Sequence, residues 1–305
     1  LIITNGELLI LKLNASYKMT HKLKDKIKNR PFKELMAIFD EKFGIGRLEM
    51  LLAVNWFNPL ATIWLNFRSL PLSQAIKLPI WCYGRPRFYG LSGKMIIEGK
   101  VYSGMIRINR VLTGAPSNMN VQTEILNNGL IIFKGELHIG TGNKIVVGRN
   151  AKLQIGANSK IADMCNIGCF EKITFNDMTR IAHRCQIFDS NYHFIVNQEQ
   201  STIPSYKRPI VIGVGCWVCN SSSIYGGAIL PDYTIVTSNS LVNKDFSQIS
   251  NGCMIGGVPA KFIKKSVRRV YNIEIVKEIE LFYQNHPTET YKIIRNNDIE
   301  EYSHF

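Results

Sequence analysis

Between Val147 and His193 the apolar positions recur in blocks of six, opened by Val147, Ile155, Ile161, Ile167, Phe175, Ile181 and Ile187, with two extra pairs, Leu153-Gln154 and Ile173-Thr174, interrupting the count. On a helix six residues turn the chain by roughly 600°, so successive openers would scatter around the axis and bury no single stripe. On a strand six is even, and every opener faces one side. The Gly, Ala or Asn in second place suits a tight corner. The fifth place is small in Ala151, Ser159, Cys165, Thr179 and Cys185, with Glu171 the exception. Small inward residues beside a large one fit a narrow solenoid interior, and a six-residue period is a signature of a β-helix.

The pattern returns in contiguous blocks opened by Ile212, Val218, Ile224, Leu230 and Val236, and Ile255-Gly-Gly-Val-Pro-Ala-Lys261 closes it. Upstream, Lys94–Glu98, Gly104–Asn109 and Gly129–Phe133 read as early, irregular coils, with regular coils from about Leu137 and a loop or edge hairpin from Arg110 to Asn128. Phe194 to Pro209, rich in Asn, Gln, Ser, Pro and Tyr, reads as an exposed insertion, the kind of segment that carries binding groups on a rigid scaffold.

Outside the repeat the spacing becomes helical: Phe32, Leu35, Met36 and Phe39 predict an amphipathic helix within 22–43, a second follows over 47–57, and Val270, Ile273, Val276, Ile279 and Phe282 predict one over 266–284. Residues 285–305 read as weakly ordered. The expected organisation is an N-terminal leader and helical region over 1–92, a β-helix over 93–261 with the insertion 194–209, and a C-terminal helical extension over 262–305. The chain begins with Leu, and Met19 is a candidate start that would make 1–18 a leader or appended sequence.

A chain of 305 residues, 46% hydrophobic and 20% charged, is long enough for a sizeable core and ordinary in composition. Its formal charge of +14 implies an anionic partner or surface. The basic residues are split between the two ends and no nucleic-acid module is recognisable, which argues against nucleic acid. Lysines followed by Trp56, Phe57 and Trp64 suit peripheral contact with an anionic membrane, or a helical cap packed on the solenoid or on another subunit. No apolar run is long enough to span a bilayer and no cleavable signal peptide is evident, so the expectation is a cytoplasmic protein, with membrane association open. Cys216-Trp-Val-Cys219 has redox spacing, yet Cys165, Cys185 and Cys216 fall in the small inward place, where a thiol behaves as a small hydrophobe.

Repeat, terminator and the segment Asp189-Ser-Asn-Tyr-His193 together resemble the hexapeptide-repeat acyltransferases, specifically saccharide O-acetyltransferases, over about residues 130–265. The resemblance implies a mainly β fold, a left-handed parallel β-helix, and a homotrimer whose sites lie between two prisms. His193 leaves the stack where a coil gives way to a polar loop, and a neutral imidazole there can take a proton from a hydroxyl near neutral pH. The family's general base stands at the matching point, so His193 is the expected base and Asp189 the expected orienter. His183, in third place of a regular block, is the competitor. The three-histidine zinc site of hydratases with this repeat lacks its close pairing here, and no metal is expected.

The same resemblance implies acetyl-CoA as donor, with Trp217, Asn220, Gly227, Ser238, Asn239 and Ser240 at coil positions that shape its groove. Cys219 stands where a glycine is usual and Ser238 where an alanine is usual. Lys261 and Lys265, in a basic run with Lys264, Arg268 and Arg269, are placed for its phosphates, or else open a solvated helix. The implied activity is direct transfer of acetyl to a saccharide hydroxyl. N-acylation of an amino sugar and a non-catalytic binding scaffold remain as alternatives.

Overall fold

The computed structural model describes residues 56–111 and 121–294, together with 34 and 302. The helices expected over 22–43 and 47–57 lie outside the described residues apart from Glu34, Trp56 and Phe57. The chain divides into units Leu1–Trp56 and Phe57–Phe305, and the second carries the solenoid.

Three sheets, mostly parallel, form the sides of a β-helix. The first stacks β1 (Ile80–Cys82), β4 (Ile106–Ile108), β7 (Leu137–Ile139), β10 (Ser159–Ile161), β13 (Arg180–Ile181), β16 (Trp217–Val218), β19 (Ile235–Val236), β21 (Cys253–Gly256) and β22 (Lys261–Lys265). The second stacks β2 (Arg87–Tyr89), β5 (Glu124–Asn127), β8 (Lys144–Val147), β11 (Asn166–Cys169), β14 (Gln186–Phe188), β17 (Ser223–Tyr225) and β20 (Leu241–Val242). The third stacks β3 (Lys94–Ile97), β6 (Leu130–Phe133), β9 (Lys152–Ile155), β12 (Lys172–Phe175), β15 (Ile210–Ile212) and β18 (Ile229–Leu230).

Block openers face inward as their even spacing requires. On the second sheet the openers Ile167, Ile187 and Ile224 stack in register with Ile125, Ile145 and Val242, each buried. A fully buried aliphatic side chain contributes roughly 1.5–3 kcal/mol, and the fold is this ladder repeated on three sides. The two interruptions are not breaks: Leu153 and Ile173 are fully buried and paired, so each adds one inward residue to a four-residue strand.

The corners differ from the expectation in one respect. The left-handed residue stands in fourth place, not second: Asn150, Asn158, Met164, Met178, Arg184, Ser221, Tyr233 and Asn239 all have positive φ. For side chains other than glycine that conformation costs roughly 1–2 kcal/mol per residue, which coil stacking offsets. Glycine in second place serves close approach instead. A Cβ on Gly156 would lie 2.3 Å from the Asn176 backbone and 2.4 Å from that of Asp177, in the next coil.

Third-place aspartates tie coil to coil: Asp163 accepts the Thr141 amide at 2.6 Å, Asp177 that of Ala157 at 2.7 Å and Asp232 that of Val214 at 2.7 Å. The inward cysteines are all free, with Cys165, Cys185 and Cys216 fully buried. Burial pushes the Cys216 thiol up to about 12.

Coils begin at Ile80, upstream of residue 93, and β5 falls within the segment expected to be loop; residues 112–120 are outside the described set. The upper end is closed by α1 (Pro59–Ser69), followed by α2 (Leu72–Ala75). Asn58 caps α1 through the Ala61 amide at 2.9 Å, with Pro59 in the first turn. The buried side of α1 sets the polar Thr62, Asn66 and Ser69 beside the fully buried Leu65. Asn66 donates to the Ile80 carbonyl at 2.7 Å and accepts the Ile80 amide at 3.1 Å, and Thr62 accepts the Cys82 amide at 3.0 Å, so α1 satisfies the free edge of β1.

At the other end the basic run is a strand rather than a helix start: β22 turns back antiparallel on β21. The C-terminal helix, α3 (Ile273–Asn285), starts later than expected, capped by Asn272. Among the described residues no helix is long and apolar enough to cross a membrane.

Candidate active site

His193 lies on the excursion between β14 and β15, which is held at both feet. The Asn191 amide donates to the Tyr206 carbonyl at 3.0 Å, the Arg208 amide to the Asp189 carbonyl at 2.9 Å, and Asn197 and Thr202 exchange amide bonds at 2.8 and 3.2 Å. The insertion expected to be exposed is mostly exposed, and its antiparallel bridges make it hairpin-like. Tyr192 adopts a left-handed backbone (φ 63°), with its amide on the Ser190 hydroxyl at 3.0 Å. That turn lays the Tyr192 ring on Phe170, centroids 4.7 Å apart, and leaves His193 exposed beside it. Phe188 joins from the coil, 6.1 Å from Tyr192 and 6.2 Å from Tyr225, on which it stacks. Phe188 and Tyr225 are in-register neighbours on β14 and β17. A Cβ at Gly168, one rung before, would meet the Phe188 ring at 2.4 Å, so glycine makes room for this aromatic wall. The wall escaped the sequence reading; its signal was Phe188 and Tyr225 in the same place of successive coils.

Among the described residues Asp189, the expected orienter, makes no hydrogen bond to His193. It is fully buried, and its carboxylate accepts the amides of Phe170 at 2.7 Å and Glu171 at 2.9 Å, the role that Asp163, Asp177 and Asp232 play in the same block place. Burial raises its carboxyl above the ordinary carboxylate range, partly offset by those amides. Among the described residues His193 makes no hydrogen bond. His183 is half-buried, its Nδ1 buried and without a hydrogen-bond partner among the described residues, while its carbonyl accepts the Ser221 amide at 2.8 Å.

The residues expected around the donor separate into groups. Asn220, Ser238 and Asn239 are exposed along the corner between the first and second sheets, where the Asn239 amide donates to the Asn220 carbonyl at 3.0 Å. Ser240 is buried, and its hydroxyl is engaged by the Thr237 carbonyl at 2.7 Å and the Gly257 amide at 3.1 Å, so it holds the last coil rather than facing a groove. Trp217 is half-buried on β16, with the Arg269 guanidinium 4.9 Å over its ring. Lys261 and Lys265 are exposed on β22. Gly227 (φ 89°) sits on the corner between the second and third sheets, the His193 edge, where its Cβ position is 3.3 Å from Arg208. Within one chain His193 and the Asn220–Asn239 corner thus occupy opposite edges of the second sheet. No group of three metal-ligating side chains occurs among the described residues.

No family model matches the chain. It is similar to the "Putative lipopolysaccharide biosynthesis O-acetyl transferase WbbJ" of Escherichia coli K12, 26% identical over 149 residues that make up 46% of this chain and 74% of the relative. Among solved structures it is similar to the polysialic-acid-specific acetyltransferase NeuO, with 20% identity, a TM-score of 0.39, and 68% of this chain and 93% of that one covered. It is also similar to a hexapeptide-repeat acetyltransferase of Vibrio cholerae O1 biovar eltor solved with acetyl coenzyme A, with 21% identity, a TM-score of 0.33, and 43% of this chain and 64% of that one covered.

Proposed function

We propose that this chain, an acetyltransferase of the hexapeptide-repeat family, moves an acetyl group from acetyl-CoA to a hydroxyl of a saccharide, with His193 as general base. The observation that carries the reading is the placement of His193, exposed on an excursion tied at both feet and next in the chain to Tyr192, whose ring meets Phe188 of the aromatic wall. Aromatic faces next to a proton acceptor suit a sugar ring whose hydroxyl is to be activated. The imidazole takes the hydroxyl proton as the oxygen attacks the thioester carbonyl; the carbon–sulfur bond then breaks and the proton leaves with the CoA sulfur. Backbone amides receive the oxyanion. Direct transfer is favoured because Cys165, Cys185 and Cys216 are fully buried in the solenoid, and burial raises the half-buried Cys219 thiol to about 11, which disfavours its thiolate.

The assembly in this reading is a homotrimer of parallel prisms. His193 and the exposed Asn220, Ser238 and Asn239 stand on opposite edges of one sheet, and a neighbouring copy supplies the missing wall. Phe194, Ile195, Val196 and Ile203 expose apolar surface on the same excursion, in keeping with a partner there. Lys261 and Lys265 then take the CoA phosphates from β22.

The saccharide is reached at a membrane surface. The outer side of α1 is apolar, with Leu60, Ile63, Trp64 and Phe67 exposed at helical spacing. Over residues 57–97 the chain carries Arg68, Lys77, Arg85, Arg87 and Lys94 and no carboxylate, which suits anionic lipid.

The experiment is mass-spectrometric screening of the protein with acetyl-CoA and a panel of sugars and nucleotide sugars. An acetylated product that mild alkali cleaves supports the O-ester; an alkali-stable product identifies an amide. Failure to bind acetyl-CoA at all would leave a non-catalytic scaffold.

A further inference from the structure

A cavity of about 360 Å³ opens on the first sheet, away from His193, and is lined by Arg107, Arg110, His138, Lys160 and Arg180, with Glu136 its one carboxylate among the described residues. Strand register builds it. Arg107 pairs with His138, His138 with Lys160 and Lys160 with Arg180, so one outward column carries cations on three of four consecutive rungs. Rungs stand about 4.8 Å apart, and like charges on adjacent rungs repel. Arg269 adds to the repulsion on both Lys160 and Arg180.

The column is also partly withdrawn from water, which sharpens its charges. Arg180 is buried, its guanidinium donating to the Asn158 and Thr179 carbonyls beneath the Tyr271 ring, 5.2 Å away. His138 is buried and donates to the Arg110 carbonyl at 2.9 Å. Burial and the surrounding cations lower its pKa to about 4, so it stands as a neutral donor among positive charges. The Tyr102 hydroxyl engages Glu136.

We propose that this cavity binds a diphosphate carried on a saccharide. A single anion would balance one cation of the column, whereas a diphosphate reaches Lys160 and Arg180 on adjacent rungs together and leaves Arg107 and Arg110 to close around it. The volume exceeds what a bare phosphate fills and leaves room for a sugar ring beside Asn158 and His138. The saccharide part rests on the acetyl-transfer reading; the diphosphate part does not. Nucleotide-linked and lipid-linked saccharides share this chemistry.

Calorimetric titration of the full chain without acetyl-CoA separates this proposal from acetyl transfer. Inorganic pyrophosphate is expected to bind, more weakly as salt rises, and Arg107→Gln with Lys160→Gln is expected to weaken it by about tenfold or more. Lys144→Gln, an exposed lysine on the second sheet, is expected to leave it unchanged. Lys160→Gln alone is expected to raise the melting temperature of the free protein by relieving repulsion. UDP-N-acetylglucosamine binding more tightly than pyrophosphate assigns the nucleotide-linked source, and a short-chain polyprenyl diphospho-N-acetylglucosamine doing so assigns the lipid-linked one. Neither binding more tightly would overturn the saccharide part. Equal pyrophosphate affinity in wild type and double variant, or none at millimolar concentration, would overturn the site.

Discussion

Asp189 accepts the Phe170 amide at 2.7 Å, across one turn of the solenoid, and so fastens the root of the excursion that carries His193 to the coil beneath it. The carboxylate four residues before His193 therefore engages backbone amides. Asp189→Asn keeps the shape but loses charge-assisted acceptance of two amides, and is expected to cost about 1–3 kcal/mol. Denaturant unfolding reads that cost, and hydrogen exchange at Phe170 and Glu171 localises it. A variant with wild-type stability and protection that only loses turnover would return Asp189 to the role of orienter.

His193→Ala is expected to lower kcat by on the order of 10²–10⁴ while acetyl-CoA still binds. His183→Ala is expected to keep most activity, because His183 belongs to a regular corner whose buried Nδ1 has no partner to lose. Steady-state kinetics on the acetylated acceptor decides: a dead His183→Ala beside an active His193→Ala would place the base on the stack.

Gly156→Ala is expected to destabilise by about 1–3 kcal/mol or more, since its Cβ would press on the Asn176 and Asp177 backbone, which cannot yield as a side chain would. Thermal melting checks it. An unshifted midpoint would mean that the coils can slide apart.

Acid is expected to destabilise the protein through His138. Its folded pKa, about 4, lies below the ordinary 6.5, so the unfolded chain takes up a proton first as pH falls. Stability is unaffected above 6.5 and declines between 6.5 and about 4, by up to about 1.4 kcal/mol per pH unit. Comparing melts of wild type and His138→Gln across that window should show the decline flattened in the variant; parallel curves would exclude the group.

Trp64→Ala with Phe67→Ala is expected to reduce cosedimentation with phosphatidylglycerol vesicles several-fold, with little effect on the fold because both side chains are exposed. Absence of wild-type binding to such vesicles, with neutral phosphatidylcholine vesicles as control, would remove the membrane from the reading.

The sequence by itself determined the inward column, because an even period sends each opener to one side of a strand and no helix can do so with six residues. It determined the small fifth place for the same reason, and Cys165, Cys185 and Cys216 are fully buried there. Only the tertiary structure decided where the turns fall, since φ is not written in a residue as permissive as Asn or as unexpected as Met164. Coil stacking alone could show that second-place glycine serves close approach, and that Asp189 shares the work of Asp163, Asp177 and Asp232. The cationic column is a product of register. Arg107, His138, Lys160 and Arg180 are separated by 20 residues or more in sequence, and only hydrogen bonding between successive coils makes them neighbours.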